Sequence, residues 1–114
     1  MPSQQLVDSG YPRLTFLVND VGQDSLFSIT VAESNDVLES GQVLAHKADG
    51  TYTAYDGGGA SPLDTAVGIL LNRIDPSNGN ELGSMLVMGV VRSGSLFGVD
   101  AAAITDLSPH FIFV

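Results

Sequence analysis

Several short stretches combine residue types that support reactions or ion binding. Leu63-Asp-Thr-Ala66 sets a carboxylate beside a hydroxyl, as in a loop that activates water for aspartic-protease chemistry, with Asp64 as the catalytic group. That chemistry needs Gly where residue 66 is Ala, so that two such loops can approach closely, and Pro62 stands where a strand should enter. The hydrophobic-hydrophobic-Gly run that should follow, Val87-Met-Gly89, comes too soon. We therefore read Asp64 as a turn residue. Gly57-Gly-Gly59 offers backbone N–H groups to a phosphate, yet no Gly-Lys-Ser/Thr follows and no helix opens there, which leaves a loop. Asp75-Pro-Ser-Asn-Gly-Asn-Glu81 has the oxygen atoms of a calcium loop. Counting position 12 from Asp75 reaches Leu86, however, where a bidentate Glu is required, so this too reads as a turn. His46 and His110 lie far apart in strand patterns, one expected to be exposed and the other to satisfy a core hydrogen bond. No Gly-x-Ser-x-Gly elbow is present. The expectation is a non-enzymatic protein with no catalytic residue, no cofactor and no metal.

Composition narrows the classes further. A chain of 114 residues makes one domain and buries about two-thirds of its unfolded surface, enough to fold without disulfides or a structural metal. It contains no Cys, which removes thiolate clusters and redox motifs. With 13 acidic residues against 4 basic ones the net charge is −9, which repels nucleic-acid backbones and anionic lipid; neither nucleic acid nor membrane is expected as a partner. The longest apolar runs fall well short of the roughly 18 residues that span a bilayer. Met-Pro-Ser-Gln-Gln-Leu-Val-Asp8 has neither a basic nor an apolar region of the kind a signal peptide carries.

The elements that hold these stretches read as mainly β. Ala66-Val-Gly-Ile-Leu-Leu-Asn-Arg-Ile-Asp75 and Ser84-Met-Leu-Val-Met-Gly-Val-Val-Arg92 are too continuously apolar to be half-exposed, and the polar stretch Pro76 to Gly83 can fold one onto the other. They are the expected central pair of a small barrel or sandwich. Leu26 to Ala32 alternates as a half-buried strand, with Phe27, Ile29 and Val31 on one side. Ser40-Gly41 turns into Gln42 to Lys47, and Ala48-Asp-Gly50 closes a hairpin with Thr51 to Tyr55. Asp56 to Asp64 is a loop. Leu96 to Val99 is a short strand, Asp100 caps one or two helical turns, and His110 to Val114 is the final strand. Residues 1–25 are polar and punctuated by Pro2 and Pro12, with too little apolar surface to offset their own ordering. They read as an extended arm that needs a partner, ahead of a β-rich domain over residues 26–114.

This order of elements resembles the head decoration protein family of tailed bacteriophages. The resemblance rests on Gly41-Gln-Val-Leu-Ala-His-Lys-Ala-Asp-Gly-Thr-Tyr-Thr-Ala-Tyr-Asp56, Thr65-Ala-Val-Gly-Ile-Leu70, the Gly-Val-Val-Arg92 strand, and an apolar last strand after a short Ala-rich helix. It implies a homotrimer on the outside of the expanded head at local threefold positions, clamping capsid subunits against the pressure of packaged DNA. The partners implied are the major capsid protein and other copies of the chain, first in the host cytoplasm and then on the virion. It also implies that the arm adds a strand to a capsid sheet, for which Tyr11, Arg13, Leu14, Phe16 and Val18 are the candidates. An apolar trimer contact is expected from Ile69, Leu71, Val87, Val91, Phe111 and Phe113. The competing expectation is a β-barrel module that binds carbohydrate or peptide through Tyr11, Tyr52 and Tyr55.

Overall fold

The computed structural model describes residues 17–19, as backbone, and residues 26–114. Eight short strands and one helix follow in order: β1 (Leu17–Asn19), β2 (Leu26–Val31), β3 (Val43–His46), β4 (Tyr52–Ala54), β5 (Gly68–Leu70), β6 (Glu81–Leu86), β7 (Gly89–Val91), α1 (Ala101–Leu107) and β8 (Phe111–Phe113). Strands β2, β4, β3, β5 and β6 close a barrel, and β1, β7 and β8 form a second sheet with β7 in the middle. The mainly β architecture with one short helix is the one expected.

Two apolar clusters explain why the central runs are hydrophobic without interruption. Ile29, Val31, Leu44, Leu70 and Met85, from the inward faces of the barrel strands, form one cluster with Leu38 of the β2–β3 connection. Val43, Ala45, Ile69, Leu71 and Leu86 belong to the other, where they meet Val91, Ala103, Leu107 and Phe111 from the second sheet and α1. Successive residues of a strand point to opposite faces, so β3 and β5 fill the barrel with Leu44 and Leu70 and support the outer layer with their neighbours. Gly68 permits the approach of β6: a Cβ there would lie 2.6 Å from Met85 Cγ and 2.9 Å from Leu86 O.

The expected central pair is present, with Ile69 opposite Leu86 and Leu70 opposite Met85. Its second arm differs from the sequence reading. Ser84 to Arg92 is two strands in different sheets, β6 in the barrel and β7 in the second layer. The break falls at Val87 and Met88, and Gly89, which opens β7, has a φ of 149° that suits glycine. Both halves are apolar because each is buried in a different layer. Strand β6 also begins earlier than the polar turn suggested, since Glu81 pairs with Val31 of β2 and leaves Leu82 at 79% exposure.

Other expectations hold with smaller changes. The β3–β4 hairpin pairs His46 with Tyr52, and its turn uses Gly50 at φ 93°. Asp49 Oδ1 accepts from the Thr51 N–H at 3.0 Å and from the Thr51 hydroxyl at 2.6 Å. Ile29 and Val31 are buried, whereas Phe27, on the same side of β2, is 54% exposed. A 3-10 turn forms at Ser93–Ser95, and the strand expected at Leu96 to Val99 is reduced to a single bridge between Gln42 and Phe97. Strand β8 lies parallel to β7, Val90 beside Ile112 and Val91 beside Phe113.

Candidate interaction surface and its supports

The stretches that invited a chemical reading serve as supports for the fold. Tyr55 leaves the hairpin buried and its hydroxyl donates to Asp100 Oδ1 at 2.9 Å. The same Asp100 oxygen accepts from the Ala103 N–H at 2.8 Å, the N-cap of α1. Gly57 is needed beside this pair, because a Cβ there would collide with Asp100 Oδ2 and the Tyr55 hydroxyl. One glycine of the run is thus fixed by packing. Asp64 is exposed on a turn, and the Ala66 N–H donates to Asp106 Oδ2 at 3.0 Å, tying that loop to α1. In the Asp75 to Glu81 turn, Asp75 Oδ1 accepts from the Ser77 N–H at 3.2 Å and Asn80 Oδ1 from the Glu33 N–H at 2.8 Å. Among the described residues no group of three or more His, Asp or Glu side chains is arranged to hold a metal ion.

The histidines differ from the expectation in that both are exposed. His46 stacks on Tyr52, ring centroids 4.4 Å apart and planes 11° from parallel, a cross-strand pair on the hairpin. Tyr55 is inside the fold, which removes one of the three aromatic residues a carbohydrate-binding reading relies on.

The Tyr55–Asp100 contact makes stability depend on pH in two windows. The Ala103 N–H, then the Tyr55 hydroxyl, hold the Asp100 carboxyl below its ordinary 3.8. Its contribution is complete above the unfolded value and is lost as the pH falls through the lower folded one. Burial, then the hydrogen bond to Asp100, pushes the Tyr55 hydroxyl up to about 12. A phenol raised in the folded state contributes fully below its unfolded value and loses that contribution as the pH climbs from about 10 to about 12. Thermal unfolding across pH checks this. Tyr55→Phe flattens the alkaline limb, and Asp100→Ala lowers the neutral midpoint by several degrees through loss of the cap and of the partner to Tyr55. Asp49 and Asp75, held low by Thr51 and Ser77, retain part of the acid limb in both variants.

The residues expected to meet partners fall in three places. Tyr11, Arg13, Leu14 and Phe16 lie outside the described residues. Val18 is in β1, which pairs antiparallel with β7, Leu17 opposite Val91 and Asn19 opposite Val90. This part of the expected arm is therefore laid against its own subunit. Of the six trimer candidates, Ile69, Leu71, Val91 and Phe111 are buried in the subunit's own core, while Val87 and Phe113 are half-buried. Among the described residues, the large apolar side chains at the surface are Phe27, Val37, Leu82, Phe97, Ile112 and Val114. None of these six is among the interface residues expected from the sequence. Alternation in β8 was the available signal for Ile112, since choosing Phe111 and Phe113 as one face leaves Ile112 on the other.

Comparison with known proteins returned one family. The model described as "Bacteriophage lambda head decoration protein D" matches residues 10–112. No curated protein matches the chain.

Proposed function

We infer the role of this protein from its kinship: the chain belongs to the bacteriophage lambda head decoration protein D family, and it is a structural component of a phage capsid. Members of that family are structural virion proteins and not enzymes. Beyond this, we propose a homotrimer that sits outside the expanded head at local threefold positions. There it holds neighbouring copies of the major capsid protein together against the pressure of packaged DNA. It is made in the host cytoplasm and joins the shell during assembly. The observation that carries this reading is the reach of the family match, which takes in the barrel, the second sheet and most of the polar leading segment.

The leading segment supplies the grip. An extended segment added to a sheet edge gains backbone hydrogen bonds with little demand on sequence, and alternate side chains such as Leu14 and Phe16 enter pockets. Ordering such a segment costs about 2 to 5 kcal/mol or more of the gross interaction. Three copies in one particle offset that cost, because one docked arm holds the others at high effective concentration and raises avidity roughly 10² to 10⁴ times. Since β1 is paired with β7, the stretch offered to the capsid is the part ahead of Leu17. The trimer contact draws on Val87 and Phe113, which keep accessible surface, together with exposed Phe27 and Phe97. Co-sedimentation tests the proposal: the protein is expected to pellet with expanded shells of its phage and to stay in solution with unexpanded ones. Equal recovery in the supernatant with both shells would refute it.

A further inference from the structure

We propose that Asn78 is a modification site: in the exposed turn that leads into β6 it deamidates by attack of the Gly79 backbone nitrogen, with water as co-reactant, and the product loosens the rim of the barrel. The inference goes beyond the decoration reading and does not depend on it.

Residue types set the reaction. Asparagine is a thermolabile side chain, and its deamidation passes through a five-membered ring that a side chain on the following residue obstructs. Asn19, Asn35, Asn72 and Asn80 precede Asp20, Asp36, Arg73 and Glu81, whereas Asn78 precedes glycine. The Gly79 nitrogen loses its proton and bonds to Asn78 Cγ, the bond from Cγ to the amide nitrogen breaks, and ammonia leaves with that proton. Water then opens the cyclic imide at either carbonyl, which leaves aspartate or isoaspartate at position 78.

The structure selects among the three dipeptides able to close such a ring, Asp49-Gly50, Asp56-Gly57 and Asn78-Gly79. Asp49 Oδ1 is held by the N–H and the hydroxyl of Thr51, which keep the carboxyl ionised and so a poor electrophile, and the Gly50 N–H donates to Lys47 O at 3.0 Å. Asp56 Oδ1 accepts from the Gly58 N–H at 3.2 Å, and Gly57 is packed against Tyr55 and Asp100. Asn78 differs at each point. Its side chain is exposed and has no hydrogen-bond partner among the described residues. The Gly79 N–H reaches Pro76 O only at 3.4 Å, longer than an ordinary N–H···O bond, and a Cβ on Gly79 would meet nothing within 4 Å. A turn held this weakly opens locally at little cost.

The flanks of the turn give the conversion its consequence. Pro76 O accepts from the Ser34 N–H at 3.2 Å, Asn80 Oδ1 accepts from the Glu33 N–H at 2.8 Å, and Glu81 starts β6 opposite Val31. Isoaspartate lengthens the backbone by a carbon between these two tethers, so both cannot keep their register. A component of a finished capsid is not resynthesised, and the change accumulates with the age of the particle.

The test incubates the full-length protein at mildly alkaline and at mildly acidic pH, with peptide mapping to locate the product and anion exchange to separate the form that carries the added negative charge. Conversion is expected at Asn78, faster at the alkaline pH, and within about tenfold of the rate for the chain unfolded in urea. Gly79→Ala should slow it about tenfold by crowding the attacking nitrogen. Asn78→Ser, which keeps the glycine and its φ of 141°, should abolish it. The isoaspartate form is expected to unfold several degrees below the unconverted protein. Conversion at Asn78 no faster than at Asn72 or Asn80, or suppressed far below the unfolded rate, would overturn the site. An isoaspartate form that unfolds together with the unconverted protein would overturn the loosened rim.

Discussion

Removing residues 1–16 is expected to lower affinity for expanded shells by about two orders of magnitude or more, while the particle mass and the circular dichroism of the free protein stay as they were. The cut is placed ahead of Leu17 because β1 pairs with β7 inside the subunit. A deletion through residue 25 would also strip a strand from the second sheet and confuse a binding defect with a folding one. With the cut at residue 16, the barrel, both apolar clusters and the Tyr55–Asp100 contact are all retained. Any loss of binding then belongs to the arm. The size of the loss follows from multivalency: three arms acting together contribute their gain as a product, and a particle without them keeps only the contact of its folded face. Co-sedimentation and light scattering on the same preparations measure both quantities, and undiminished pelleting of the truncated protein would contradict the arm mechanism.

Ile69→Ala and Leu70→Ala are each expected to destabilise the free subunit by about 2 to 5 kcal/mol. These neighbours on β5 point to opposite faces. Leu70 lies in the cluster that fills the barrel, and Ile69 in the cluster beneath β7, β8 and α1. Both side chains are fully buried. A strand with one wet face would show one costly substitution and one nearly neutral one, so the pair tests the two-layer arrangement. Urea denaturation of the two variants reads it directly. Stabilities of small domains run to about 5 to 15 kcal/mol, so either change removes a large part of the total. The double variant should depart from additivity, because the two residues share a backbone segment and relax together.

Local signals in the sequence were enough to place the hairpin at Gly50, the cap at Asp100, the pairing of β5 with β6 and the last strand. Each depends on a turn residue, a helix-capping side chain or a run of apolar residues within a short window. What the windows could not supply was the destination of each apolar run. Ser84 to Arg92 reads as one strand because burial in the barrel and burial under the second sheet look alike in hydrophobicity, and a single glycine at position 89 marks the change. The same ambiguity governed the interface candidates. Ile69, Leu71, Val91 and Phe111 were selected for being apolar, and hydrophobicity does not separate a side chain buried in its own subunit from one buried between subunits. In Phe111-Ile-Phe-Val114 no polar residue marks the outer face, so alternation defines two faces without saying which is wet. The Tyr55–Asp100 hydrogen bond joins residues 45 positions apart and had no local signature at all.

Imaging shells decorated with the intact protein is the most direct measurement. A reconstruction of expanded shells incubated with it is expected to show three subunits at each local threefold position on the outer surface, with a strand from each subunit continuing into a capsid sheet. Shells whose outer surface carries no added density after saturation with the protein would contradict the account.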